Sequence, residues 1–278
     1  MKSILIFSCP DQAGIQSKVT NLLFKYDCFI TDVDSFSDTD SRTFFSRIFF
    51  KGSRIKELKL EFKLLASSLK MTYVFKNPNK KLKVAILVSR ESHCLNDLIY
   101  RSLYKDLKID IKTVISNHTN VKQLVKKNNI PFNLIDTKKF DKKKCEIKIN
   151  QILRSKRVEL VILARYMQIM SEDFVNNWSG KCINIHHSFL PSFKGARPYH
   201  QAYQKGVKMI GATAHYITKD LDEGQIIEQG IEEINHKNSI DDLVSKGNDI
   251  ECRVLSRAIK YHSEHRVFIN QNKTIVFK

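Results

Sequence analysis

From about residue 83 onward, short apolar runs alternate with amphipathic stretches, and this alternation constrains the fold more than any other feature of the chain. Strand-like runs cover Lys83–Ser89, Ile109–Ser116, Phe132–Ile135, Leu160–Ala164, Cys182–Ile185 and Met209–Tyr216, with helical patterns between most of them. The pattern predicts an α/β architecture, a doubly wound and mostly parallel sheet. A further strand near Ile226–Ile234, a long helix around Ile240–His262 and a short strand pair (Arg266–Phe268, Thr274–Phe277) close the chain. Ligands of such sheets bind outside the carboxyl ends of the strands, so residues just past those ends are the first candidates for a site.

The first 76 residues follow a different plan. A strand at Lys2–Cys9 precedes a helix whose apolar positions Ile15, Val19, Leu22 and Leu23 fall on one face. Strands at Phe29–Ser37 and Thr43–Phe50 flank the polar turn Asp38–Ser41, and a helix over Ile55–Leu69 leads to a strand at Met71–Phe75. The order βαββαβ predicts a ferredoxin-like unit. The run Lys76-Asn77-Pro78-Asn79-Lys80-Lys81 holds no apolar residue and reads as a linker. A length of 278 residues suits two domains. The boundaries expected are 1–76, a linker at 77–82, and 83–278.

Composition narrows the function classes. The net charge is +18, but residues 105–157 alone carry 15 basic and 5 acidic side chains, a net of +10, whereas residues 158–278 are at +1. The clusters Lys126-Lys127, Lys138-Lys139 and Lys142-Lys143-Lys144 lack interleaved aromatics. They read as solvated helix faces rather than a base-stacking platform, so no nucleic-acid partner is expected. The six cysteines form no C-x-x-C pair, which argues against a zinc site or a disulfide framework. No run approaches the roughly 18 apolar residues of a membrane span, and the start carries no signal-peptide pattern. A soluble, cytoplasmic protein without membrane attachment is the expectation.

The chemistry-bearing residues cluster between 184 and 227. Asn184 and His186 are two apart on an extended segment and project to one face. An amide beside an imidazole can stabilise a tetrahedral oxyanion and manage its proton, although a lone histidine is more often a structural residue. His187 points to the other face of a regular strand, so the adjacent pair cannot share one metal. Beyond His215, the residues Asp220, Asp222 and Glu223 crowd a turn. One of them becomes a general base if burial and neighbours raise its pKa; otherwise the turn is a solvated acidic loop.

Taken whole, the run NIHHSFLPSFKGARPYHQAYQKGVKMIGATAHYITKDLDEGQII (184–227) resembles the formyltransferase family of folate enzymes. The stretch LVILARYMQIM (160–170) resembles the family's folate-binding segment, and the opening SCPDQAGIQSKVTNLLFKYDCFITDVDSFSD resembles an ACT-type regulatory domain. That combination is similar to the branch of the family that hydrolyses the formyl donor. The resemblance implies conversion of 10-formyltetrahydrofolate to formate and tetrahydrofolate. In it Asp222 would be the general base or water-orienting group, Asn184 and His186 would stabilise the oxyanion, and His215 would support Asp222. The pterin would lie against Leu163, Met167, Gln168, Ile169 and Ile217. No metal or cofactor is implied beyond the folate substrate. A small amino-acid effector at the ACT-like domain and a homo-oligomer are expected.

The alternative is a formyltransferase to an amine acceptor. Transformylases of this family cradle the acceptor's phosphate in a glycine-rich loop after the first strand. The matching stretch Ser89-Arg90-Glu91-Ser92-His93-Cys94 has no glycine, and Glu91 would oppose an anion. The opening also departs from the ACT pattern at Gln12 and Ala13, while Gly14 remains.

Overall fold

The structure, a computed structural model, describes residues 1–191 and 198–278. The chain forms two compact units. The first takes Met1–Lys80 together with Glu264–Asn270 and Phe277–Lys278, and the second takes Lys81–Ser263 and Gln271–Val276.

In the first unit β1 (Lys2–Pro10), α1 (Ile15–Lys25), β2 (Phe29–Asp38), β3 (Thr43–Lys51), α2 (Ile55–Ser68) and β4 (Thr72–Lys76) follow in sequence. The sheet order is β2-β3-β1-β4, and every pairing is antiparallel. Gly14 enters α1 at φ +82°, a conformation that costs a residue with a Cβ. Leu5 and Phe7 of β1, Ile48 and Phe50 of β3, and the apolar stripes of α1 and α2 share one core. Phe62 of α2 is fully buried there, with ring contacts to Tyr73 and Phe75 of β4. Burial of such a side chain is worth about 1.5–3 kcal/mol.

The second unit contains β5 (Leu82–Val88), α3 (His93–Leu103), β6 (Ile109–Ser116), α4 (Lys122–Lys127), β7 (Phe132–Leu134), α5 (Lys142–Ser155), β8 (Leu160–Leu163), α6 (Glu172–Asn177), β9 (Cys182–His186), α7 (Pro198–Gln204), β10 (Met209–Tyr216), β11 (Ile226–Glu233) and α8 (Ile240–Ser263). Its seven strands are ordered β11-β10-β9-β8-β5-β6-β7. Strands β7 through β9 are parallel, while β10 and β11 run antiparallel at one edge. The winding reverses between β5 and β8, which makes a crevice at their carboxyl ends. Val84 through Val88 are all buried, as expected of a central parallel strand covered on both faces. Among the described residues no helix is long and apolar enough to cross a membrane.

Strands β12 (Val267–Asn270) and β13 (Lys273–Val276) end the chain. The sequence placed this tail wholly in the 83–278 region, and the structure corrects that. Residues 264–270 and 277–278 belong with the first unit. The reason is local packing: Phe268 meets the Phe45 ring at 5.4 Å, and the Asn270 amide donates to the buried Asp38 carboxylate at 2.8 Å. Arg47, also buried, donates to the Glu264 carbonyl at 3.3 Å.

Candidate active site

The site is assembled from two antiparallel neighbours. In the pairing of β9 with β10, His215 lies opposite Asn184 and Thr213 opposite His186. Alternation along β9 sends Asn184 and His186 to one face, and the cross-strand pairing adds His215. A bulge in the β10–β11 pairing falls at Ala214/His215, a device that re-aims side chains next to functional sites.

The loop beyond β10 brings Asp222 to the same place. Tyr216 N–H donates to the Gln225 carbonyl at 3.0 Å, closing the loop on the strand it has just left. Gly224 makes this closure possible, because a Cβ there would lie 1.6 Å from the Tyr216 oxygen. Asp222 itself takes φ +59°, in the left-handed region that aspartate tolerates better than most residues.

Asp222 Oδ2 is 3.1 Å from His186 Nδ1, and Oδ1 is 3.6 Å from His215 Nε2. The same His215 Nε2 lies 3.3 Å from the Asn184 amide. His215 Nδ1 donates to the Tyr216 carbonyl at 2.8 Å, and since a carbonyl only accepts, that nitrogen carries a proton. Burial would raise the Asp222 carboxyl, but hydrogen bonds and charge from His186 and His215 outweigh it and hold the group well below the usual carboxylate range. His186 Nε2 is buried and has no hydrogen-bond partner among the described residues. It is a donor or acceptor waiting for a ligand or water.

These groups line a cleft of about 290 Å³ at the carboxyl ends of β8 and β9. All nine residues nominated from the sequence border it: Asn184, His186, His215 and Asp222, and Leu163, Met167, Gln168, Ile169 and Ile217. Met167 N–H donates to Ser89 Oγ at 3.0 Å, which anchors the 165–170 segment to the end of β5. Met167 and Ile169 are exposed, so this wall offers open apolar surface to a flat ligand.

Sequence reasoning overlooked Arg165, Tyr166, Thr218, Lys219 and Leu221, which also line the cleft. Arg165 was detectable in principle, as a cation directly after the apolar run Leu160–Ala164. His187 corrects an expectation. It lies one residue past the end of β9, where alternation no longer applies, and it borders the same cleft as His186, the two rings 5.2 Å apart. Residues 192–197 of the run 184–227 lie outside the described residues. Among the described residues one group has metal-ligand donors close together, His93, Cys94 and Glu251, all within 4.8 Å of one another. The charge of Arg165 beside Glu251 opposes a cation there.

With this geometry the chain is similar to a particular set of proteins. The family model described as "Formyl transferase" matches residues 82–259. The formyltetrahydrofolate deformylase of Bacillus subtilis is 44% identical over 281 residues, covering 99% of this chain and 94% of that protein. A crystal structure of a formyltetrahydrofolate deformylase from Pseudomonas putida KT2440 superposes with a TM-score of 0.93 at 44% identity, covering 100% of both chains. A phosphoribosylglycinamide formyltransferase from Anaplasma phagocytophilum gives a TM-score of 0.66 at 31% identity, and covers only 72% of this chain but 96% of that one. The transferase likeness thus stops short of the full chain, and the deformylase likeness runs through it. The chain belongs to the formyltetrahydrofolate deformylase family, and its residues 82–259 are the formyl transferase domain of that family.

Proposed function

We infer that this chain hydrolyses 10-formyltetrahydrofolate to formate and tetrahydrofolate. The observation that carries the reading is the convergence of Asp222, His186 and, through His215, Asn184 in a cleft that apolar side chains also line. The pterin lies in that apolar slot, against Leu163, Met167, Gln168, Ile169 and Ile217. Water attacks the formyl carbon and forms a C–O bond, and the resulting oxyanion takes hydrogen bonds from the Asn184 amide and from His186 Nε2. His186 Nε2 takes one proton from the water and delivers it to N10 as the C–N bond breaks, and the second proton leaves when formic acid ionises to formate. Of the two roles open to Asp222, orienting the water and stabilising a charged His186 suits it better than abstracting a proton. A carboxyl held so far below the operating pH is a weak base. His215 keeps Asp222 and Asn184 in register. As written, the reaction calls on no resident cofactor or metal.

The first unit we read as ACT-type, a ferredoxin-like domain that takes a small amino acid and associates with its copies, so that the enzyme is a homo-oligomer working in the cytoplasm. Its βαββαβ order, with β1 and β3 central in the sheet, supports that reading. The glycine-free stretch 89–94, from the end of β5 into α3, supports water rather than a phosphorylated amine as acceptor: its His93 is turned to a buried carboxylate, Glu251, at 2.8 Å.

Incubation of the purified protein with 10-formyltetrahydrofolate and no acceptor tests the function. One formate released per tetrahydrofolate formed is the expected result. Release only after an amine acceptor is added would make the chain a transferase.

A further inference from the structure

Arg165 lies two residues past the end of β8, with its backbone at φ +61° and its side chain 14% exposed. Its Nε lies 3.5 Å from Oε2 of Glu251, a fully buried carboxylate in the middle of α8. Glu251 has two further partners, His93 Nε2 at 2.8 Å and the Tyr199 hydroxyl at 2.6 Å. Burial would raise this carboxyl, but the hydrogen bond from His93 and the charge of Arg165 lower it. The cluster therefore holds a fixed anion, Glu251, and a fixed cation, Arg165.

The anion is well served and the cation is not. Arg165 Nε and Nη1 are buried without a hydrogen-bond partner among the described residues, and the approach to Glu251 is an ion pair without hydrogen-bond geometry. An unpaired buried donor is costly, and more so when charged, so such a group marks the place of a ligand or water. His186 Nε2 is orphaned in the same way, and both residues line the same cleft. His187 lies beside both: its ring is 5.2 Å from that of His186 and 6.3 Å from that of Tyr199, and Arg165 is among the charges that act on it.

A guanidinium carries only donors, and a carboxylate is the acceptor it binds most strongly. The reading of the site as a formyl-folate hydrolase, on which this inference rests, supplies one. Hydrolysis turns a neutral formyl carbon into a carboxylate between His186 and the remaining cleft wall. We propose that Arg165 is the product-binding residue that receives formate, with Glu251, His93 and Tyr199 as positioning residues that hold the guanidinium in place.

The test is inhibition by sodium formate at constant ionic strength, with sodium chloride as the control. Formate inhibits the unaltered protein, and Arg165→Gln raises the formate inhibition constant at least about tenfold, as loss of a charge-assisted contact should. Arg165→Lys keeps a cation beside Glu251 and so protects the fold; it raises the constant by a smaller but measurable factor. A merely structural Arg165 would lower kcat and the unfolding temperature and leave the formate constant where it was, which overturns the proposal. Indifference of the unaltered protein to formate overturns it as well. Line broadening of carbon-13 formate by the resting protein measures binding without turnover. A protein that binds formate through Arg165 but releases none from 10-formyltetrahydrofolate would sink the hydrolysis reading alone.

Discussion

The group most sharply tuned by its surroundings is Asp222, and its substitution tests the chemistry directly. Asp222→Asn keeps the size of the side chain and removes the charge that faces His186 at 3.1 Å. Turnover should fall by roughly 10³-fold or more, as for other histidines deprived of an orienting carboxylate. Tetrahydrofolate binding, followed by fluorescence, should change little. A variant that keeps half its rate would remove Asp222 from the mechanism. His187 carries a second prediction. Burial, with the charge of Arg165 added, pushes its imidazole down from 6.5 to about 4. Between those values the unfolded chain takes up a proton that the folded chain refuses. The stability present above pH 6.5 is therefore lost as the pH falls toward 4, by roughly 3 kcal/mol in all. Urea unfolding of the second unit, followed by its single tryptophan, Trp178, should show a smaller acid shift in His187→Gln than in the unaltered chain. Equal shifts would show that another group is responsible. At this scale Asn184 and His186 were legible, because spacing by two on a strand is a statement about direction. The pairing of Arg165 with Glu251 was not, since it joins residues far apart in the chain. Its only trace is a carboxylate that shares the buried stripe of α8 with Gly247, Val254 and Leu255.

Among the elements, the loop from Ile217 to Gln225 depends most on a single residue. A methyl group at position 224 would overlap the Tyr216 carbonyl and press within 3.1 Å of His215 Nδ1, and backbone cannot move aside as a flexible side chain can. Gly224→Ala should cost roughly 1–3 kcal/mol of stability. Because the same loop carries Asp222, kcat should fall further than that loss explains, which comparison of activity with the Trp178 unfolding curve will reveal. An alanine variant with normal kcat would mean that the loop can close by another path. The strands and helices themselves were mostly visible in the sequence. Ile15, Val19, Leu22 and Leu23 are spaced at helical intervals because one face of α1 is buried, and all four are buried. The segments that escaped notice are those governed by side chains rather than periodicity. Ser171 starts α6 by accepting from Phe174 N–H at 3.2 Å, and Glu146 of α5 binds its backbone N–H at 2.7 Å. Neither contact leaves a repeat in the sequence.

For the whole molecule, the division into units is the property least visible in the sequence, because the polar run at residues 76–81 marks only the first crossing between them. The return of residues 264–270 and 277–278 follows from contacts such as Phe45–Phe268 and Asp38–Asn270, which link positions more than 200 apart. A chain ending at Ser263 should leave the first unit markedly less stable. Asp38 would lose the Asn270 donor, and Arg47, paired with Asp32 at 2.9 Å, would lose the Glu264 carbonyl. Hydrogen exchange of the β1 and β3 amides should accelerate by at least about tenfold. Unchanged exchange would show that the first six elements are self-sufficient. The crossing also sets an order of events during synthesis. An N-terminal domain normally completes itself while the rest of the chain is still being made. Here residues 264–270, which help to finish the first unit, leave the ribosome only after the whole of Lys81–Ser263. At about 5–20 residues per second that is a wait on the order of ten seconds or more, during which a nascent sheet stands with one face unfinished.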